Sequence, residues 1–197
     1  MQRKNKILFL LGLFLLNMSI ILIALKTYIN LNYLDLNKKM VTNYMEFTSL
    51  SDNISNQSNQ NEKYEIAAVL EIPDLNLRRV LTYDDVYNDI KYNVQIISGK
   101  MPDNDKNNLI LAAHSGNGQA SFFSKLSMLT DESEIYIYYN GIKYVYRIFD
   151  YYEVTKSNQI LVKRNREFNT LTLITCSEID NNKQIIYISY LVDKIAY

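Results

Sequence analysis

Residues 133 to 155, SEIYIYYNGIKYVYRIFDYYEVT, constrain the fold more than any other stretch of the chain. Apolar and aromatic residues alternate with others on both sides of Asn140-Gly141. A period of two sends successive side chains to opposite faces, as in a half-buried strand. Asn-Gly supplies the two positive φ values of a type I′ turn, so the segment predicts an antiparallel hairpin. A hairpin this apolar needs further strands to cover it.

The chain from about Tyr64 onward supplies them. IAAVLEIPDLNLRRVL reads as two short strands interrupted at Pro73, which confines the break to an edge or turn. NVQIIS leads into Gly99, NNLILAAHS follows, and LTLITC with KQIIYISYLV forms a further strand pair. GQASFFSKLSML, residues 118 to 129, predicts a short helix or helical turn with Phe122, Phe123, Leu126 and Leu129 on one face. Seven or eight short strands with little helix imply a closed barrel or a sandwich.

The N-terminus has a different texture. Arg3, Lys4 and Lys6 precede an uncharged apolar run from Ile7 to Leu25, interrupted only by Asn17 as a clearly polar residue. At 1.5 Å per residue the run covers about 28 Å of helix, enough to cross a hydrocarbon core. It is long for a signal peptide, and the bulky LKTYINLNY that follows offers no small-residue cleavage site, so an uncleaved anchor is expected. Basic residues ahead of the span favour a cytoplasmic N-terminus and an extracytoplasmic remainder. Residues 27 to 50 read as a helix continuing out of the membrane, and the Ser- and Asn-rich 51 to 65 as a linker. The expected organisation is a basic tail at 1–6, an anchor at 7–25, a helical and flexible linker at 26–63, and a β domain at 64–197. The short C-terminus beyond Tyr190 argues against a second transmembrane span.

Lys+Arg and Asp+Glu both number 21, which gives no support to nucleic-acid binding. The single cysteine, Cys176, ends an alternating strand. In an extracytoplasmic domain it cannot form an internal disulfide, which leaves a buried small apolar residue, an intermolecular pair or a reactive thiol. A thiol nucleophile needs a base beside it, an acid for the leaving group and a donor for the oxyanion. The single histidine, His114, also ends an apolar strand, just before the loop SGNG. Strand ends and the loops beyond them are where catalytic side chains project. One Cys and one His cannot build a structural zinc site, and Ser115 does not fit a nucleophile-elbow motif. The acidic pair Asp84-Asp85 and the DNDK of residues 103 to 106 read as solvated turns, so no cofactor is expected.

TLITC at 172 to 176, with LILAAHSG some sixty residues earlier, resembles the sortases, membrane-anchored cysteine transpeptidases of Gram-positive bacteria. LEIPDLNLRRVL is similar to the segment that opens their catalytic barrel, and SGKMPDNDKNNLILAAH to the stretch that leads to their histidine. The likeness covers about residues 66 to 193. It implies a mainly β fold, a closed eight-stranded barrel with one or two short helices behind an N-terminal transmembrane helix. It further implies cleavage of an LPxTG-like sorting signal through a thioacyl intermediate on Cys176. His114 would serve as acid toward the departing amine and as base for the incoming one, a cell-wall precursor amine or a pilin lysine. Ser115 and Thr175, flanking the pair, would contact substrate. The family's arginine position holds Gln184 here, beside Lys183. Either Gln184 acts as a neutral donor, the preferred reading, or a cation arrives from elsewhere, with Lys163, Arg164 and Arg166 as candidates. The contrasting class is a catalytically silent anchored barrel that binds a peptide or partner.

Overall fold

The computed structural model describes residues 2–50, 65–85, 87–157, 159 and 161–197, so most of the expected linker lies outside the described residues. The chain divides into two compact units, Met1–Lys38 and Lys39–Tyr197.

Helix α1 (Gln2–Leu50) runs 49 residues through the expected anchor and beyond it. Within the first unit every large apolar side chain from Ile7 to Leu25 is exposed, as lipid-facing residues must be. The helix is long and apolar enough to cross a membrane. Asn17 is tolerated there because its Nδ2 donates to the Leu13 carbonyl at 2.8 Å, and Ser19 Oγ donates to Leu16 O at 2.7 Å.

In the second unit eight strands form one sheet: β1 (Ile66–Ile72), β2 (Leu77–Thr82), β3 (Gln95–Ser98), β4 (Asn108–Ala112), β5 (Glu134–Tyr139), β6 (Ile142–Thr155), β7 (Thr170–Cys176) and β8 (Lys183–Ala196). Their order is β2-β1-β5-β6-β8-β7-β4-β3. The sheet rolls into a nearly closed β-barrel, not a two-sheet sandwich. Two bulges in the long β6–β8 ladder, at Val145/Tyr146 and Ile148/Asp150, bend the sheet around its core. At the seam between β2 and β3 a side chain replaces ladder bonds. Asn93 Nδ2 donates to Val80 O at 2.8 Å, and Asn93 Oδ1 accepts from Arg79 Nε at 3.0 Å. Arg79 also lies over the Phe122 ring, and burial lowers its pKa to about 10.

The Asn140-Gly141 hairpin forms as expected, with φ of 49° and 73° at its two central residues. The break at Pro73 becomes a 3-10 turn, Pro73–Leu75, closed by Asn76 in the left-handed region. The helix expected over residues 118 to 129 contracts to turns and one 3-10 turn, Leu126–Met128. Ser121 is the cause. Its hydroxyl donates to Ser115 O and accepts from Gly118 N, both at 3.0 Å, and this local bonding outcompetes a helix.

The last turns of α1 belong to the second unit. Met40 and Val41 are buried, Tyr44 reaches Ala67 O at 3.4 Å, and Thr48 Oγ1 lies 2.6 Å from Tyr197 OH. Part of the expected linker is thus a packed element of the barrel.

Candidate active site

Strand β7 is buried along its length up to Cys176, which is partly exposed at its end. Both faces of the strand are covered. Leu171 and Leu173 join the barrel core with Leu109, Leu111 and Tyr187. Ile174 packs on the other face with Ala112, Ile186 and Ile188, under Ile90 and Val162. This double burial is why TLTLIT carries no charge.

Strands β4 and β7 run parallel, with Asn108 opposite Thr170 and Ala112 opposite Ile174. Carried two residues further, the same register sets His114 level with Cys176. Two bonds extend the pairing past the end of β4: Ala113 N donates to Ile174 O at 3.2 Å, and Thr175 Oγ1 donates to Ala113 O at 3.0 Å. The residues immediately before His114 and Cys176 are therefore bonded to each other. Beyond His114, its carbonyl accepts from Phe123 N at 3.1 Å, which folds the SGNG loop back toward the barrel.

On the other side of β7 the antiparallel register places Gln184 directly opposite Cys176. Opposed residues share a face of the sheet, so the Gln184 side chain, and not that of Lys183, lies on the thiol's side. His114, two residues past the end of β4, is thus level with Cys176 at the end of β7, and Gln184 at the start of β8 lies opposite Cys176. The Gln184 Oε1 atom is buried and has no hydrogen-bond partner among the described residues.

Two clefts meet at Cys176. One, of about 460 Å³, is polar, and its lining includes His114, Ser115, Asn117, Lys156, Cys176 and Glu178. The other, of about 220 Å³, is lined by Phe123, Leu126, Ile179, Ile185 and Tyr187, with Ser115, Thr175 and Cys176 at its margin. Ser115 therefore lies where a ligand on either side of the thiol would touch it. Thr175 borders the apolar cleft, but it is only 5% exposed and its hydroxyl is committed to Ala113.

The cations considered from sequence lie elsewhere. Lys183 Nζ pairs with Glu153 Oε2 at 3.2 Å, and Glu153 also accepts from Ser177 Oγ at 3.0 Å. Arg164 donates to Phe168 O, Thr170 Oγ1 and Lys106 O, at the opposite end of β7 from Cys176. Lys163 lies over the Tyr152 ring, and Arg166 is exposed. The lysine that does line the polar cleft is Lys156, just past β6. Sequence reading misses it because only the long β6–β8 pairing, with Thr155 opposite Lys183, carries that end of β6 to the loop after Cys176. Among the described residues no three His, Cys, Asp or Glu side chains converge as metal ligands would.

A family model described as a sortase domain matches residues 70–192. Solved structures agree in fold. Sortase C-3 from Streptococcus pneumoniae superposes with a TM-score of 0.59 at 17% identity, over 84% of this chain and 89% of that one. Sortase E1 from Streptomyces coelicolor, solved with a tripeptide in its active site, gives a TM-score of 0.55 at 20% identity over 67% and 91%. Clostridium perfringens sortase C, solved with the C-terminal cell wall sorting motif, gives 0.56 at 18% identity over 77% and 85%. No curated protein sequence matches the chain.

Proposed function

Because this chain belongs to the sortase family, we propose that it is a membrane-anchored cysteine transpeptidase that cleaves an LPxTG-like sorting signal and transfers the acyl portion to an amine. The observation that carries this reading is that His114 and Cys176 line one cleft at the end of β7, with Gln184 opposite Cys176 in the β7–β8 pairing.

In the first half-reaction the Cys176 thiol gives its proton to His114, and its Sγ attacks the threonine carbonyl carbon of the signal. The C–N bond to glycine breaks, and His114 donates a proton to the departing amine. In the second, an incoming amine attacks the thioester, His114 accepts its proton, and the thiolate leaves. Gln184 donates a hydrogen bond to the oxyanion in both steps. Its amide is a neutral donor, about half as strong as a charged one. Ser115 contacts the peptide, and Thr175 holds the two catalytic strands together.

Residues 7–25 span the bilayer, Arg3, Lys4 and Lys6 stay on the cytoplasmic side, and the barrel lies outside. The peptide partners are C-terminal sorting signals of surface proteins, and the amine belongs to a cell-wall precursor or a pilin lysine. The solved relatives with a bound tripeptide and with a sorting motif support a peptide ligand of this class.

The test uses the full chain in nonionic micelles with LPxTG-type peptides varied at each position. Intact-mass spectrometry is expected to show an acyl adduct that is absent from Cys176→Ala and is discharged by an added amine. No adduct from any peptide, together with a thiol no more reactive than an ordinary buried one, would leave the silent binding barrel as the better reading.

A further inference from the structure

Among the described residues Lys156 is the one lysine or arginine on the polar cleft, and Glu178, which is exposed, is its one carboxylate. Lys156 is also held at both ends. Its backbone N–H donates to Asn182 O at 2.8 Å, and its Nζ donates to Asn181 O at 2.6 Å. Both acceptors belong to the loop that begins at Ser177, directly after the thiol. An ammonium group has three donors, so two remain beyond the bond to Asn181. Lys183, which lines neither cleft, is paired with Glu153.

We propose that Lys156 is the cation of this site, its ammonium facing an anionic group attached to Cys176 Sγ. Within the transpeptidase reading, on which this part rests, that group is the tetrahedral oxyanion formed as the thioester is made and broken. Gln184 supplies a hydrogen bond from the sheet, and Lys156 supplies the charge from across the cleft. A fixed charge aimed at a developing oxyanion raises the rate of the chemical step more than it tightens ground-state binding.

The test compares the wild-type chain with Lys156→Gln and Lys156→Arg, each full length in nonionic micelles. Cys176 is alkylated with iodoacetate, which carries a negative charge to the thiol, and with iodoacetamide, which does not. A merely structural role would change both rates together, whereas a charge moves their ratio. Lys156→Gln is expected to lower the iodoacetate-to-iodoacetamide ratio by about fivefold, as a unit charge several ångströms away in partly wet protein should. Lys156→Arg is expected to keep the ratio. With an active peptide, Lys156→Gln is expected to lower kcat roughly tenfold to a hundredfold with KM little changed. An unchanged ratio in Lys156→Gln overturns the proposal, and so does an unchanged kcat. If no peptide acylates the wild-type chain, the transpeptidase reading fails, and the alkylation ratio alone decides whether Lys156 serves the thiol.

Discussion

Thr175→Val isolates the bond that keeps His114 level with Cys176. The two side chains are nearly isosteric, so the change removes one hydroxyl and leaves the backbone path untouched. Thr175 is only 5% exposed, and its Oγ1 lies 3.0 Å from the Ala113 carbonyl. A buried hydrogen bond contributes about 1 kcal/mol net, and a carbonyl deprived of its donor costs roughly 1–2 kcal/mol more. The added methyl returns up to about 0.8 kcal/mol. The expected loss is therefore about 2 kcal/mol, a fall of roughly 4–8 °C in Tm for a domain of this size. With 17 Tyr and no Trp, near-UV circular dichroism of the full chain in micelles reads barrel packing through tyrosine. Acylation should suffer beyond stability, because the bond joins the residues directly before the acid-base group and the nucleophile. A misplacement of about 1 Å can reduce a rate on the order of a hundredfold. Thr175→Ser retains the hydroxyl and should recover most of the rate. If Thr175→Val melts and acylates like the wild type, the clamp is not what aligns the pair.

Three other changes probe the frame. Asn93→Ala removes the amide that bridges β2 to the approach to β3 and strips a buried partner from Arg79; a loss of about 3 kcal/mol is expected in the urea midpoint. Gly99 has φ of +100°, and a Cβ there would collide with the Asn108 carbonyl oxygen at the start of β4. Gly99→Ala should therefore fail to give a folded barrel by near-UV circular dichroism, whereas Gly116→Ala, open on all sides, should cost only about 1 kcal/mol of backbone strain. Burial holds Tyr44, Tyr138 and Tyr146 well above the ordinary tyrosine value of 10.0. The unfolded chain releases these protons first as pH rises, so their contribution is fully present below pH 10 and declines above it. Arg79 acts in the opposite sense but is a single group. Urea midpoints taken from about pH 8 to about pH 11 should fall, with tyrosinate absorbance rising at the same transition, and a flat profile would refute the burial argument.

The elements were legible because their signals are local. Alternation around Asn140-Gly141, the break at Pro73 and the uncharged run from Ile7 to Leu25 each depend on a few neighbouring residues, and each formed as expected. Near Phe122, where a short helix or helical turn was expected, only turns and one 3-10 turn formed, because periodicity carried no sign that the Ser121 hydroxyl would bond Ser115 and Gly118. Of the candidate site, the strand-end positions of Cys176 and His114 could be read from the chain, and the likeness to a family linked the two residues.

Register is a tertiary property. A slip of one residue turns every side chain to the other face, and only both partners together fix it. The β7–β8 pairing put Gln184, not Lys183, opposite Cys176, and the parallel β4–β7 pairing brought residues 62 positions apart to one level. The sequence by itself thus determined the strands, the long apolar helix and which side chains could do chemistry, since these follow from local pattern. Only the folded sheet determined which of them meet. It carried Arg164 to the opposite end of β7, and it set Lys156 on the cleft that Cys176 also lines, through contacts between segments distant in the chain.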